Sequence, residues 1–241
     1  MDDRIQRLNQ AAEDGDIDAF YNIIREDVKL LKRIDKSPFV DTPLHKSASA
    51  GKIPFSIEMM KLRPSFISKP NPDGQTPIYL ALKNGYAELV RQLLQHNADL
   101  VRVKGKECMT PLHNAATKIG REDPTSPHYE AKTKEYLDLL EKFLSVCPDS
   151  ITDVTTQNET ALHIALKNNN LEAFQFLVGW LLRKCSYWRK ILGQKDVEGN
   201  TVLHVAVSEN QTQASSLISL VMIFNSKLTY TSNRKNQQTS T

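Results

Sequence analysis

The stretch Thr42-Pro43-Leu44-His45 decides the fold, because it recurs along the chain. The same four residues stand at Thr110-Pro111-Leu112-His113, with variants at Thr76-Pro77-Ile78-Tyr79, Thr160-Ala161-Leu162-His163 and Thr201-Val202-Leu203-His204. The threonines at 42, 76 and 110 are 34 residues apart, and the next two follow after 50 and 41 residues. Self-similarity at such a period predicts a solenoid of stacked supersecondary units.

Each occurrence has the composition of a helix start. A threonine before a helix accepts hydrogen bonds from the first backbone N–H groups, and proline is tolerated at the first helical position because its N–H would be unpaired there anyway. The histidine recurs at one place per unit, where it can bond to the backbone of the adjoining turn. We therefore predict structural roles for the recurring residues Thr42, Pro43, His45, Thr76, Pro77, Thr110, Pro111, His113, Thr160, His163, Thr201 and His204.

The residues after each motif predict a short first helix and its end. Leu44, Leu112, Leu162 and Leu203 share a helix face with Ala48, Ala116, Leu166 and Val207, four residues later. Small residues let neighbouring first helices approach closely, at Ala81, Ala115, Ala165 and Ala206. Nine residues after the threonine come residue types that accept a left-handed helix end, at Gly51, Gly85, Asn169 and Asn210.

The T-P-L-H-x-A pattern at this period resembles the ankyrin repeat, a β-turn followed by two antiparallel helices. The resemblance implies an all-α fold, an ankyrin-repeat solenoid of stacked helix-turn-helix units joined by β-turn or hairpin loops. The first unit lacks the motif, but Leu8, Ala11, Ala12 and Gly15 occupy the corresponding places under a polar face that suits a terminal cap. We predict six units, at roughly 1–33, 38–70, 72–104, 106–154, 156–195 and 197–224, with an ankyrin-repeat domain over 1–210 whose last unit is incomplete.

Two units carry insertions. Residues 121–130 combine proline, serine and charge, which predicts an exposed loop before a helix over Lys132–Leu144. The second insertion, Lys184–Lys190, places Tyr187 and Trp188 in a basic stretch. We interpret it as an extended amphipathic helix with buried aromatic rings, and the alternative is an anchor that contacts a partner.

Composition excludes several classes of protein. The 241 residues carry 31 Lys and Arg against 28 Asp and Glu, interspersed and with a net charge of +3, which predicts no nucleic-acid partner. Cys108, Cys147 and Cys185 are odd in number and lack CxxC spacing, so reduced thiols are expected instead of disulfides or zinc. The start, Met1-Asp2-Asp3-Arg4, has no apolar run of a secretory signal, and we predict a cytoplasmic protein.

No catalytic signature stands in the chain. It contains no Gly-rich phosphate loop, no HExxH, no GxSxG and no set of kinase motifs. An active site needs different residue types in one pocket, whereas a solenoid repeats one residue once per unit. The sequence therefore predicts no enzyme, no cofactor, no metal site and no small-molecule substrate.

The segment 211–241 departs from the repeat pattern. Its apolar run, Leu217–Phe224, is out of register with a second helix, and its eight residues are far fewer than the roughly 20 that span a bilayer. We predict an irregular tail, apolar and then polar, with no transmembrane helix. The apolar run either docks on the last helix as a cap or forms a membrane-seeking end.

A narrower resemblance rests on three stretches: 110–116, Asn158-Glu159-Thr160-Ala161-Leu162-His163-Ile164-Ala165 and 195–204. They are similar to the plant ankyrin-repeat family that ends in a PGG domain. The resemblance covers residues 1 to about 210 and implies repeats at the cytosolic face of the plasma membrane and a role in innate immunity and cell-death control. The chain lacks the Pro-Gly-Gly segment and hydrophobic spans, so it resembles a truncated or alternatively spliced member.

We predict that the turn tips and the exposed sides of the first helices form a concave surface for a protein partner. On the repeat register, the candidate partner-binding residues are Asp41, Asp73, Gln75, Lys83, Asn84, Glu107, Met109, Lys118, Gln157, Glu159, Lys167, Asn168, Glu198, Asn200 and Glu209. Their mixed charge suits a protein more than a phosphate backbone.

Three functions agree with these observations. The first is a non-catalytic adaptor or regulator in plant signal transduction and the defence response. The second is a membrane-associated signalling subunit paired with a full-length, membrane-anchored ankyrin/PGG relative. The third is an inert truncated isoform.

Overall fold

The computed structural model describes residues 3–118, 127–184, 187–216 and 218–219. Within these ranges the secondary structure is helical, which confirms the all-α solenoid. The α-helices are α1 (Asp3–Asp14), α2 (Ile17–Glu26), α3 (Leu30–Lys36), α4 (Pro43–Ser49), α5 (Ile53–Leu62), α6 (Pro77–Lys83), α7 (Ala87–His96), α8 (Pro111–Lys118), α9 (Tyr129–Val146), α10 (Ala161–Lys167), α11 (Leu171–Arg183), α12 (Trp188–Gly193) and α13 (Val202–Ser208). Short 3-10 turns lie at Pro64–Phe66, Ala98–Arg102, Lys106–Cys108 and Pro148–Thr152.

The helices form two stacked layers. The first helices of the six units, α1, α4, α6, α8, α10 and α13, contact one another in that order. The second helices α5, α7, α9 and α11 form the other layer, and Phe20 on α2 packs edge-to-face on Phe55 of α5 with ring centroids 5.4 Å apart. Each inner helix of the first layer, α4, α6, α8 and α10, thus buries one side against the preceding unit and one against the next.

The expected core face is buried in the inner units. Leu44, Leu112 and Leu162 are fully buried, and so are the small residues Ala81, Ala115, Ala165 and Ala206 that separate neighbouring first helices. The expectation for Val207 is wrong, because its side chain is 61% exposed. The described helical residues 212–216 that follow α13 leave it uncovered.

The first helices end as the sequence predicts. Gly51, Gly85, Asn169 and Asn210 all adopt left-handed backbone, with φ of 68°, 79°, 53° and 54°. After Gly85, the N–H of Tyr86 bonds back to the carbonyl oxygen of Ala81 at 2.9 Å. Glycine and asparagine tolerate this conformation best, so these positions turn the chain into the second helix.

Hairpin-like turns join the units. The last four turns are each closed by a hydrogen bond between the N–H of the first residue and the carbonyl of the fifth, as in Asn71 to Gln75 and Asp196 to Asn200, both at 2.9 Å. In these two turns the Asn71 and Asp196 side chains also accept the backbone N–H of the third and fifth residues. The turn tips therefore project from one side of the stack as a regular series.

Both ends of the stack depart in detail from the predicted boundaries. Helix α3 extends to Lys36, past the predicted end of the first unit at 33. Residues 212–216 are helical where an irregular segment was predicted, and Ala214 and Ile218 are buried. Most of the expected loop at 121–130 and the tail from 220 to 241 lie outside the described residues.

Candidate protein-interaction surface

The motif histidines tie successive units together. The Nδ1 atom of His45 accepts the N–H of Thr42 at 3.1 Å, so Nε2 carries the proton and donates to the carbonyl oxygen of Gln75 at 3.1 Å. His113 repeats this arrangement, with Nε2 3.2 Å from the carbonyl oxygen of Glu159 in the next unit. A residue of one unit thus holds the turn of the following one.

Burial makes these histidines poor acids or bases. Desolvation lowers the pKa of His113 to about 4, and it lowers the pKa of His45 and of His163 as well. The rings are therefore neutral near pH 7. His204 occupies the same place in the last unit and is exposed, because no described turn follows it.

The turn tips present a row of exposed side chains. The outermost residues of the five turns are exposed and have no intramolecular salt bridge in the described part of the chain: Phe39, Asp73, Glu107, Gln157 and Glu198. Phe39 is 64% exposed and was not among the predicted partner-binding residues. Phe39 lies 34 residues before Asp73, and this spacing is the signal that could have identified it as a tip. Its turn, Ser37–Asp41, lacks the glycine or asparagine that each of the other four turns contains.

Most predicted partner-binding residues are exposed or half-buried. Those with exposed side chains are Asp73, Lys83, Asn84, Glu107, Gln157, Glu198 and Glu209, and those with half-buried side chains are Asp41, Gln75, Met109, Asn168 and Asn200. Asp41 accepts a hydrogen bond from the Asn71 side chain at 3.0 Å, and Asn84 donates to the carbonyl oxygen of Ser49 at 2.8 Å. The Lys118 side chain lies outside the described part of the chain.

Two of the predicted residues serve the fold instead of the surface. Glu159 is only 8% exposed, and its carboxylate lies 2.7 Å from the Nζ atom of Lys167. The same ammonium is 3.2 Å from the buried carboxylate of Asp196 in the next turn. Lys167 thus bridges the fifth and sixth units, and neither Glu159 nor Lys167 is kept in the candidate surface.

A cavity of about 240 Å³ opens between the turns of the third and fourth units. Its walls are formed by Gln75, Tyr79, Gly105, Lys106, Glu107, Met109 and Asn114. Three of these residues, Gln75, Glu107 and Met109, were predicted from the repeat register. Tyr79 and Asn114 were missed, because their side chains sit on helix faces that are normally covered by a neighbouring unit.

The aromatic residues of the second insertion pack on the protein itself. The Tyr187 hydroxyl donates to Asp149 at 2.7 Å, and its ring lies 5.9 Å from that of Trp180. Trp188 also packs against the core. These contacts favour the interpretation as buried aromatic rings over a free anchor.

The described residues hold neither a metal-binding cluster nor a membrane span. No group of three His, Cys, Asp or Glu side chains converges there as a set of metal ligands. None of the described helices is both long and apolar enough to cross a bilayer.

Comparison with known proteins assigns the family. The family model for ankyrin repeats matches three times, over residues 8–104, 58–123 and 128–224. The ankyrin repeat-containing protein BDA1 of Arabidopsis thaliana is 36% identical over 74 residues, which are 31% of this chain and 17% of that protein's length. A solved structure, that of the predatory endopeptidase Bd0816 from Bdellovibrio bacteriovorus in complex with immunity protein Bd3460, contains a chain of similar fold. The TM-score is 0.61 at 21% identity, over 89% of this chain and 97% of the other. The chain belongs to the ankyrin-repeat family.

Proposed function

We propose that this protein is a non-catalytic adaptor or regulator in plant signal transduction and defence, which captures a protein partner on its turn tips. The ankyrin repeats make it a protein–protein interaction module. The plant setting is supported by the similarity to an Arabidopsis protein and by the resemblance of three stretches to the plant ankyrin family with a PGG domain. We place the protein in the cytoplasm, with the cytosolic face of the plasma membrane as the alternative.

The row of tips is the observation that carries this proposal. Phe39 offers an apolar contact at one end, and Asp73, Glu107 and Glu198 offer carboxylates in later units. Neighbouring helices pack about 8–10 Å apart, and successive turn tips are spaced accordingly. An extended segment of the partner spans this distance in about three residues, so about every third residue of it could contact a tip. The core of the stack already orders the backbone that carries these side chains. Binding a partner therefore costs little conformational entropy in that backbone.

Proximity labelling in plant tissue, followed by calorimetry with the purified partner, tests this assignment. Reversing three tip charges, with Asp73→Lys, Glu107→Lys and Glu198→Lys, should abolish enrichment of one soluble partner while the far-ultraviolet circular dichroism is unchanged. The matched control reverses three exposed acids on the other layer, with Asp99→Lys, Asp138→Lys and Glu141→Lys. Equal capture by both triple variants would remove the tips from the proposal, and no enrichment by any version would favour the inert isoform.

The second candidate is a membrane-associated subunit paired with an anchored ankyrin/PGG relative. The exposed side of α13 favours it, because Val207 and His204 occupy positions that a following unit covers elsewhere in the stack. Such a face fits the first helix of another ankyrin stack. Val207→Lys should then abolish co-fractionation with membranes while leaving the tip-dependent partner bound, and membrane association that survives Val207→Lys would count against this pairing.

A further inference from the structure

The junction between the third and fourth units departs from the repeat at three positions. Tyr79 stands where the second, fourth, fifth and sixth units have histidine. Gly105 opens a turn whose counterparts begin with Asn71, Thr155 and Asp196, so it has no side chain to accept the turn's N–H groups. Cys108 adopts φ of 57° where two of the other turns have glycine.

These departures coincide with missing bonds between units. The turns of the fourth, fifth and sixth units are linked by backbone bonds, from the Thr156 N–H to the Glu107 carbonyl at 2.9 Å and from the Val197 N–H to the Gln157 carbonyl at 3.0 Å. The equivalent bond, from Lys106 to Asp73, is not formed in the described structure. Tyr79 also lacks the histidine Nε2 that would reach the next turn. The 240 Å³ cavity occupies this unlinked junction.

The cavity wall contains hydrogen-bond acceptors without partners. Asn114 is only 7% exposed, and while its Nδ2 atom donates to the Thr110 carbonyl at 3.1 Å, its Oδ1 atom has no partner in the described ranges. The Glu107 carboxylate and the Tyr79 hydroxyl also have none there. These residues line the cavity, so a ligand that brings N–H donors can bond to their acceptor atoms in place of water.

We propose that this cavity binds an arginine side chain of the partner protein. A guanidinium presents five N–H donors in one plane, enough for both Asn114 Oδ1 and the Glu107 carboxylate. Its flat face stacks on an aromatic ring such as that of Tyr79, and Met109 supplies an apolar wall for the methylene groups. A lysine has the charge but neither the planar fork nor the stacking face, so the site distinguishes the two cations.

This inference rests on the proposed function, since it names the chemistry that a partner presents to the same row of tips. It is tested on the full chain with the blocked tripeptide acetyl-Gly-Arg-Gly-amide. The readout is the ¹³C-methyl signal of Met109, assigned through Met109→Leu. We expect a saturable shift and an affinity about tenfold higher than for the lysine peptide, with a weaker response still to the neutral citrulline peptide.

Three variants locate the binding. Tyr79→His introduces the residue that the other units have, and its Nε2 atom would donate to the Met109 carbonyl and close the junction. This variant should therefore lose the shift of the Met109 signal on addition of the arginine peptide. Its melting temperature should stay the same or rise. Glu107→Gln should weaken arginine binding about tenfold. Glu198→Gln, the equivalent change in the turn of the sixth unit, should leave it unchanged.

Either of two results would overturn the assignment. One is an equal response to the arginine, lysine and citrulline peptides or no saturable response to any of them. The other is full arginine binding by Tyr79→His. If the tips capture a partner but the arginine peptide gives no response, only the arginine site is removed. If the control triple variant on the other layer also loses partner capture, that result counts against the proposed function.

Discussion

The Nε2 atom of His113 lies 3.2 Å from the carbonyl oxygen of Glu159, the residue directly before the capping threonine of the next unit. The same ring closes its own helix start, with Nδ1 2.8 Å from the Thr110 hydroxyl. One side chain therefore joins local helix capping to the stacking of units. His45 makes the same pair of contacts, to Thr42 and to the Gln75 carbonyl.

Replacing His113 should destabilise the stack far more than replacing its exposed counterpart. His113→Ala removes a buried ring, a cap and the bond to the next unit, and should lower the free energy of unfolding by about 2–4 kcal/mol. His204→Ala loses only the cap and should cost about 0.5–1 kcal/mol. Urea denaturation measures both, and equal losses would show that the contact between units contributes nothing.

Stability should fall between pH 6.5 and pH 4 because of the buried histidines. The folded pKa of His113 is about 4, below its ordinary value of 6.5, so above pH 6.5 both the folded and the unfolded states are neutral. As the pH falls, the unfolded chain binds a proton that the folded chain does not, which lowers the free energy of unfolding by roughly 2 kcal/mol at pH 5. Urea denaturation across this range should show a smaller loss for His113→Gln, and an identical pH profile would contradict the shift.

Gly51 and Gly85, both in left-handed backbone, should respond differently to alanine. A Cβ on Gly51 would lie 2.7 Å from the Tyr86 ring, whereas one on Gly85 meets only the Tyr136 hydroxyl at 3.9 Å. Backbone strain costs both variants about 1 kcal/mol, and the contact adds about 1–2 kcal/mol for Gly51→Ala. Thermal unfolding of the pair measures the difference, and a smaller loss for Gly51→Ala would show that the ring moves aside freely.

Cys108→Gly should stabilise the protein. The cysteine adopts φ of 57°, which costs a residue other than glycine or asparagine about 1 kcal/mol, and glycine removes this strain. Asn158→Gly, at the same place in the next turn, should not stabilise, because asparagine tolerates the conformation and its side chain donates to the Lys195 carbonyl. The midpoints of urea denaturation compare the two, and no gain for Cys108→Gly would argue against strain at this turn.

Loss of Lys167 should loosen the last two units. Lys167→Met leaves Glu159 and Asp196, both buried, without their shared cation, and should lower the free energy of unfolding by about 1–2 kcal/mol after allowance for the partial exposure of the ammonium. Lys134→Met on the exposed side of α9 should change it by less than about 0.5 kcal/mol. Hydrogen exchange of α13 amides reports the loss locally, and unchanged exchange would show that the bridge is not needed.

The interaction surface was predictable only in part. The register placed Asp73, Glu107, Gln157 and Glu198 at turn tips, because their position depends on a count from the capping threonine. Glu159 has the same count as Gln75 and Met109, yet it is buried. Its carboxylate is held by the Lys167 ammonium, which reaches it from a helix and also pairs with Asp196 of the next turn.

The sequence by itself determined the unit, because caps, helix faces and left-handed ends are local and depend on residues within about ten positions of each threonine. It determined the stack as well, since each unit has apolar residues on the sides that neighbours must cover. Only the tertiary structure decided where the stack is imperfect. Three residues show this: Tyr79 at a histidine position, Phe39 at a turn tip and Val207 at the end of the stack. The effect of each depends on contacts that a neighbouring unit makes or fails to make. Such contacts are set by three-dimensional packing between residues that are 34 or more positions apart in the sequence.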